Sequence, residues 1–181
     1  MGPEFAKQPV RVQTHLAEIA EAARGGDREA FAALVEAIWP GLVAFARSVL
    51  GRAADAEDLV QDALVVAWQQ LSTLKSGQSF YSWVWKMVYR RAVLHLKERA
   101  RLVPIEEAEI EPIYLVTKDI DIPRLLAVLT PQQRAVIYLS YVEGKTNSEI
   151  RAALGVSAVT VRIYRTRAIA RLRRHLGVEL P

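Results

Sequence analysis

Residues 146–168 read TNSEIRAALGVSAVTVRIYRTRA. Thr146 with Glu149 three residues on forms a capping box, in which each side chain satisfies a backbone N–H at the start of a helix. Gly155 stands where that helix must stop and turn. Ser157 can cap a second helix, on which Arg162, Arg165 and Arg167 crowd together. Two short helices joined by a tight turn form a helix-turn-helix. Ile150, Leu154, Val156, Val161, Ala168 and Leu172 are spaced to share a small core. Packing Val161, Ala168 and Leu172 inward turns Arg162, Ile163, Thr166, Arg167 and Arg173 outward. Two readings of that outer face stand side by side: a helix that enters a major groove, and a solvated basic face on a plain helical hairpin.

Outward from this pair, helix signals are dense and strand signals nearly absent. TPQQ (Thr130–Gln133) offers a cap, a proline at the first helical position and a glutamine that completes the box. Asp27 and Asp55 are further cap candidates. The spacing predicts an all-α chain with helices near 14–24, 28–50, 55–71 and 80–100 in a first domain, 14–101, after a tail, 1–13. Gly2–Phe5 (GPEF) resembles a cloning scar and is left out of the fold. Residues 102–123, with Pro104, Pro112 and Pro123 among several acids, read as a linker. A smaller helical domain follows at 124–177, then a tail, 178–181.

The 181 residues are 51% hydrophobic, enough for a real core. The absence of cysteine excludes disulfide scaffolds, thiolate metal sites and cysteine nucleophiles, and suits a reducing cytoplasm. No apolar stretch is expected to reach a membrane span, and no signal peptide is evident, so direct membrane insertion is not expected. The net charge of +4 is unevenly spread. Asp55, Glu57, Asp58 and Asp62 form one acidic cluster, and the linker holds another, Glu106 to Asp121. Basic residues gather at Arg90–Arg101 and Arg162–Arg174, which suggests a polyanion touched at two places.

Two more stretches carry chemistry. In FYSWVWKMVYRRAVLHLKERAR (Phe80–Arg101), Phe80, Trp83, Val84, Met87, Val88 and Arg91 share one face. Tyr81, Trp85 and Tyr89 share another, beside Lys86, Arg90 and Lys97. One aromatic set suffices for a core; the second is expected at the surface, where rings stack on unpaired bases and cations hold the backbone. The alternative is a wide buried face. In DAEDLVQDALVVAWQQL (Asp55–Leu71), Leu59, Ala63, Val66 and Ala67 turn inward and Asp58, Gln61, Asp62 and Val65 outward. Carboxylates at i and i+4 could hold a metal. No further ligand set accompanies them, and His15, His95 and His175 are scattered, so no metal or other cofactor is expected. The helix dipole explains some of these acids; the rest form an edge suited to a basic protein surface.

In this order the three stretches resemble bacterial sigma factors of the extracytoplasmic-function group, over nearly all of the chain from Asp27 to Leu176. DAEDLVQD followed by AW carries the most specific part of the likeness. The resemblance implies an alternative sigma factor, without catalysis, that recognises promoters and melts them in the cytoplasm. It implies three partners: core RNA polymerase, promoter DNA and an anti-sigma factor. Asp58, Leu59, Gln61 and Asp62 would dock on the polymerase clamp. The loop Thr73–Ser79 and the following helix would capture the minus-ten element through Ser76, Gln78, Trp83, Lys86, Tyr89, Arg90 and Lys97. Ser157, Thr160, Arg162, Ile163, Thr166 and Arg167 would read the minus-thirty-five element, and the acidic linker would thread the nucleic-acid channel. Tyr89 and Arg90 stand where the family commonly has arginine and asparagine. Ile163 and Tyr164 stand where polar or basic residues are usual. With Pro181 as the last residue, no C-terminal extension is expected. A stand-alone helix-turn-helix regulator remains the alternative, and it leaves the acidic edge and the aromatic stripe unexplained.

Overall fold

The computed structural model describes residues 10–51, 54–102 and 122–177, and side chains from His15 onward except at 102 and 122–124. Most of the expected linker, with all of its acids from Glu106 to Asp121, and the chain ends 1–9 and 178–181 lie outside the described residues. Helices α1 (Val10–Arg24), α2 (Arg28–Leu50), α3 (Ala56–Gln70) and α4 (Phe80–Leu102) form the first unit; α5 (Ile122–Ala127), α6 (Pro131–Ile137), α7 (Asn147–Leu154) and α8 (Ala158–Leu176) form the second. No strand occurs among the described residues.

The caps explain most boundaries. Asp27 accepts from the N–H groups of Glu29 (2.9 Å) and Ala30 (3.0 Å). Thr130 and Thr146 form complete capping boxes with Gln133 and Glu149. Ser157 accepts from Thr160 N–H at 3.0 Å. Gly155 closes α7 at φ +68°, a conformation that costs other residues a Cβ clash. Asp55 departs from expectation: it makes no side-chain cap, and its carboxylate meets His95 Nε2 of α4 at 3.1 Å. Helix α1 begins at Val10, four residues before the expected 14.

Helix α2 is the spine of the core. Leu34, Ile38, Leu42, Phe45 and Val49 are all buried, and α1, α3, α4 and α6 pack around it. By length and composition α2 is apolar enough to cross a membrane, contrary to the expectation that no stretch is. Here that apolarity faces protein.

Two expectations about packing are overturned. The second unit has no single core of its own. Ile150, Leu154 and Val161 join the large core of the first unit, with Val156 against it; only Ala168, with Leu172 beside it, joins the small cluster of Leu126, Leu129 and Ile137. The aromatic face of α4 is also not at the surface. Trp85 is 1% exposed, Tyr89 8%, and Tyr81 is half-buried. The reason is the second unit itself, whose α7 lies along α4.

That seam is specific. Trp85 packs on Phe45 (ring centroids 4.7 Å apart), Tyr81 (5.1 Å) and Tyr138 (6.4 Å). Tyr81 donates its hydroxyl to Glu143 Oε2 at 3.0 Å, and Lys145 Nζ sits 4.0 Å over the Tyr81 ring. Burial, then the neighbouring Glu143 carboxylate, pushes the Tyr81 hydroxyl far above the ordinary tyrosine range. The Arg134 guanidinium is buried and donates to Val49 O at 2.9 Å, a free carbonyl at the end of α2. Burial lowers its pKa to about 10. Helix α2 ends on Gly51 at φ +76°, where a Cβ would stand 2.9 Å from that guanidinium. The Trp85 indole N–H and Arg134 Nε have no protein hydrogen-bond partner among the described residues.

Candidate functional site: polymerase-docking and nucleic-acid surfaces

The acidic edge is a groove wall. Asp58, Gln61 and Asp62 are exposed along α3, as the spacing predicts. Asp58 and Asp62 face Arg91, Leu94, His95 and Glu98 of α4 across an open groove of about 320 Å³. Leu59 is only 8% exposed, at the groove floor. Just outside, Arg47 of α2 pairs with Glu57 at 2.6 Å. Glu57 and Asp58 lie in the first turn of α3, where the helix dipole favours acids. Among the described residues no three histidine, aspartate or glutamate side chains gather to hold a metal ion.

The loop before α4 is pinned by α1. Gly77 N–H donates to Glu21 Oε2 at 2.8 Å. The adjacent Arg24, then this N–H, hold the Glu21 carboxyl below its usual range. A Cβ on Gly77 would lie 2.2 Å from Ala17 O and 2.8 Å from Glu21 N, both backbone atoms of α1. Gly77→Ala is therefore expected to cost about 3 kcal/mol and to lift α1 off the loop. Hydrogen exchange across Val10–Arg24 checks this: unchanged protection there would contradict the contact. Sequence reading missed this glycine because the clash comes from a helix more than 50 residues away.

The expected minus-ten residues fall into three groups. Gln78, Arg90 and Lys97 are exposed. Ser76, Trp83 and Lys86 are half-buried: Ser76 Oγ lies 3.4 Å from Ser79 Oγ, Trp83 packs on Phe80, and Lys86 runs against Gly155 of the second unit. Tyr89 is buried; that burial, with Tyr164 nearby, raises its pKa to about 12. Lys86 and Tyr89 thus lie at or under the seam with α7 and α8.

The outer face of α8 is open. Ser157, Arg162, Ile163, Thr166 and Arg167 are exposed in one row, and Thr160 is half-buried behind Ser157, their hydroxyls 2.8 Å apart. Val159 belongs to the same row, though its residue type gives no sequence signal for a nucleic-acid contact. Arg165 turns the other way and donates to Ser140 Oγ at 2.8 Å, a structural role.

Residues 34–102 match the family model for sigma-70 region 2, and residues 120–172 match that for sigma-70 region 4. Both halves of the fold therefore have the class of a promoter-specificity subunit of bacterial RNA polymerase. The chain is 30% identical over 168 residues to the ECF RNA polymerase sigma factor SigM of Mycobacterium tuberculosis, covering 89% of this chain and 84% of that protein. It is 31% identical over 140 residues to the RNA polymerase sigma-E factor of Streptomyces coelicolor, covering 75% and 79%. Among solved structures, the sigma factor RpoE in complex with the anti-sigma factor NepR from Bartonella quintana matches with a TM-score of 0.70 at 27% identity, covering 83% of this chain and 98% of that one. CnrH in complex with the cytosolic domain of CnrY matches with a TM-score of 0.68 at 25% identity, covering 91% and 99%. The chain belongs to the extracytoplasmic-function group of sigma factors. It is an alternative sigma factor that works with core RNA polymerase on promoter DNA in transcription initiation, and the stand-alone regulator is not favoured.

Proposed function

We propose that the three surfaces divide the work of initiation. The exposed acids of α3 dock on a basic surface of core polymerase, with Asp58, Gln61 and Asp62 as contacts and Leu59 shaping the groove floor. The loop 73–79 and α4 take up the minus-ten element through Ser76, Gln78, Trp83, Lys86, Tyr89, Arg90 and Lys97. The row on α8, Ser157 to Arg167, reads the minus-thirty-five element in the major groove. The boundaries 14–101, 102–123 and 124–177 are the working units, and the chain acts by binding, without catalysis, in the cytoplasm where polymerase meets the genome.

The observation that carries this reading is the sorting of charge. An exposed acid edge on α3 and an acid-free helix, α8, with six arginines stand on one chain. The first suits a basic protein surface and the second a phosphate backbone. Burial of Tyr89 adds a condition. The α4 face cannot stack on bases while α7 covers it, so the two units part before the minus-ten element is engaged. An anti-sigma factor, as in the RpoE complex, is a further partner, and holding these units together is the role that fits it.

Run-off transcription tests the whole assignment. Mixed with core polymerase and promoter-bearing genomic fragments, the chain should yield transcripts that are absent without it. No transcripts, with dimeric binding to free duplex DNA, would favour a stand-alone regulator. Arg167→Ala should weaken upstream-element binding by about 1–3 kcal/mol. An unchanged footprint over that element would remove Arg167 from the reading row.

A further inference from the structure

The reading row on α8 contains two large apolar side chains with no protein covering them. Val159 is 55% exposed and Ile163 40%. They stand one turn apart on the same face, about 6 Å along the helix axis. Arg162, Thr166 and Arg167 flank them, all exposed. Exposed apolar side chains are ordinary on a protein surface, and Val65 and Leu94 are others here; what sets this pair apart is its place within the arginine-bearing row. The charge around them selects the occupant, because α8 carries six arginines and no aspartate or glutamate. Duplex DNA supplies phosphates for the arginines. In its major groove the apolar group it offers is the C5-methyl of thymine.

We infer that Val159 and Ile163 are specificity-determining residues that read two thymine methyl groups in the upstream promoter element. This rests on the assignment of α8 to that element and adds to it the kind of base each position selects. Base pairs rise by about 3.4 Å, so side chains about 6 Å apart reach methyls one or two steps from each other, on either strand. Polar side chains at these two positions would leave the choice of base to hydrogen bonds alone. Here the apolar pair rejects cytosine, which presents no methyl at C5, and the flanking arginines remain free for guanine or phosphate.

Deoxyuridine substitution isolates the claim, because it removes only the methyl. Holoenzyme made with the full chain is footprinted on a promoter obtained by run-off transcription. Each thymine of the upstream element is then replaced by deoxyuridine in turn, and affinity is measured by competition. Two positions, no more than two steps apart, should each lose about fourfold, the effect of one buried methyl. Val159→Ser and Ile163→Ser should each weaken binding to the natural element and become insensitive to deoxyuridine at one of the two positions. Both residues are exposed, so the variants should melt with the parent. An element lacking thymines on both strands, or one tolerant of every deoxyuridine, would overturn the inference while leaving α8 as the reading helix. Equal deoxyuridine losses in parent and variants would do the same. Loss of core binding in the serine variants would show that a protein covers this face instead. No upstream footprint at all would overturn both the inference and the assignment beneath it.

Discussion

Asp58→Arg is expected to weaken binding to core RNA polymerase at least about a hundredfold and to abolish run-off transcripts, while the chain still folds. The side chain is exposed at the rim of the groove between α3 and α4, with Asp62 one turn further along. Reversing its charge places like charges face to face in the complex, which costs several kcal/mol. The effect on folding is much smaller. Asp58 is exposed, and the loss is a favourable acid in the first turn of α3, about 0.3–1 kcal/mol. The melting temperature should therefore fall by no more than about 4 °C. Unchanged affinity for core, measured by anisotropy or pull-down, would show that the acid edge docks elsewhere.

Trp85→Ala is expected to have the largest effect on stability, about 3–5 kcal/mol, a large share of what a domain of this size has. Trp85 is buried at the seam, where Phe45, Tyr81 and Tyr138 meet its ring from three elements. Its removal opens a cavity shared by both units, so the second unit should loosen along with the first. Trp83→Ala is the contrast. That side chain is half-buried against Phe80 and should cost less on folding; its proposed minus-ten role predicts weaker promoter opening in addition. Urea unfolding of both variants decides the matter. A Trp85→Ala midpoint close to that of the parent would mean that the seam contributes little to stability.

The helices were legible because their signals are local. Asp27, Thr130, Thr146 and Ser157 mark starts, Gly155 marks a stop, and the apolar spacing on α3 separates Asp58, Gln61 and Asp62 from Leu59, Ala63 and Ala67. The open row on α8 was legible for the same reason. The cover over α4 was not. Helical period assigns Tyr81, Trp85 and Tyr89 to a face, yet it cannot say whether water, DNA or another helix meets that face. Arg134 is a sharper case. It sits in the last turn of a short helix, and its partner, Val49 O, is 85 residues away. Asp55 resembles a cap by type and position, but its carboxylate reaches His95 on another helix. In each instance the deciding contact is long-range, and no local pattern encodes it.

Under the proposed function one face of α4 serves two partners in turn: the second unit in the free chain, and unpaired bases at the promoter. The absence of cysteine allows clean pairwise labelling. Cysteines placed at Gln69 on α3 and Ala170 on α8, both exposed, would carry a donor and an acceptor dye. The free chain should give a single population, and holoenzyme on promoter DNA one of different transfer efficiency as the units part. The same transfer efficiency in the free chain and in the promoter complex would contradict the claim, because Tyr89 would then remain covered while the promoter is open.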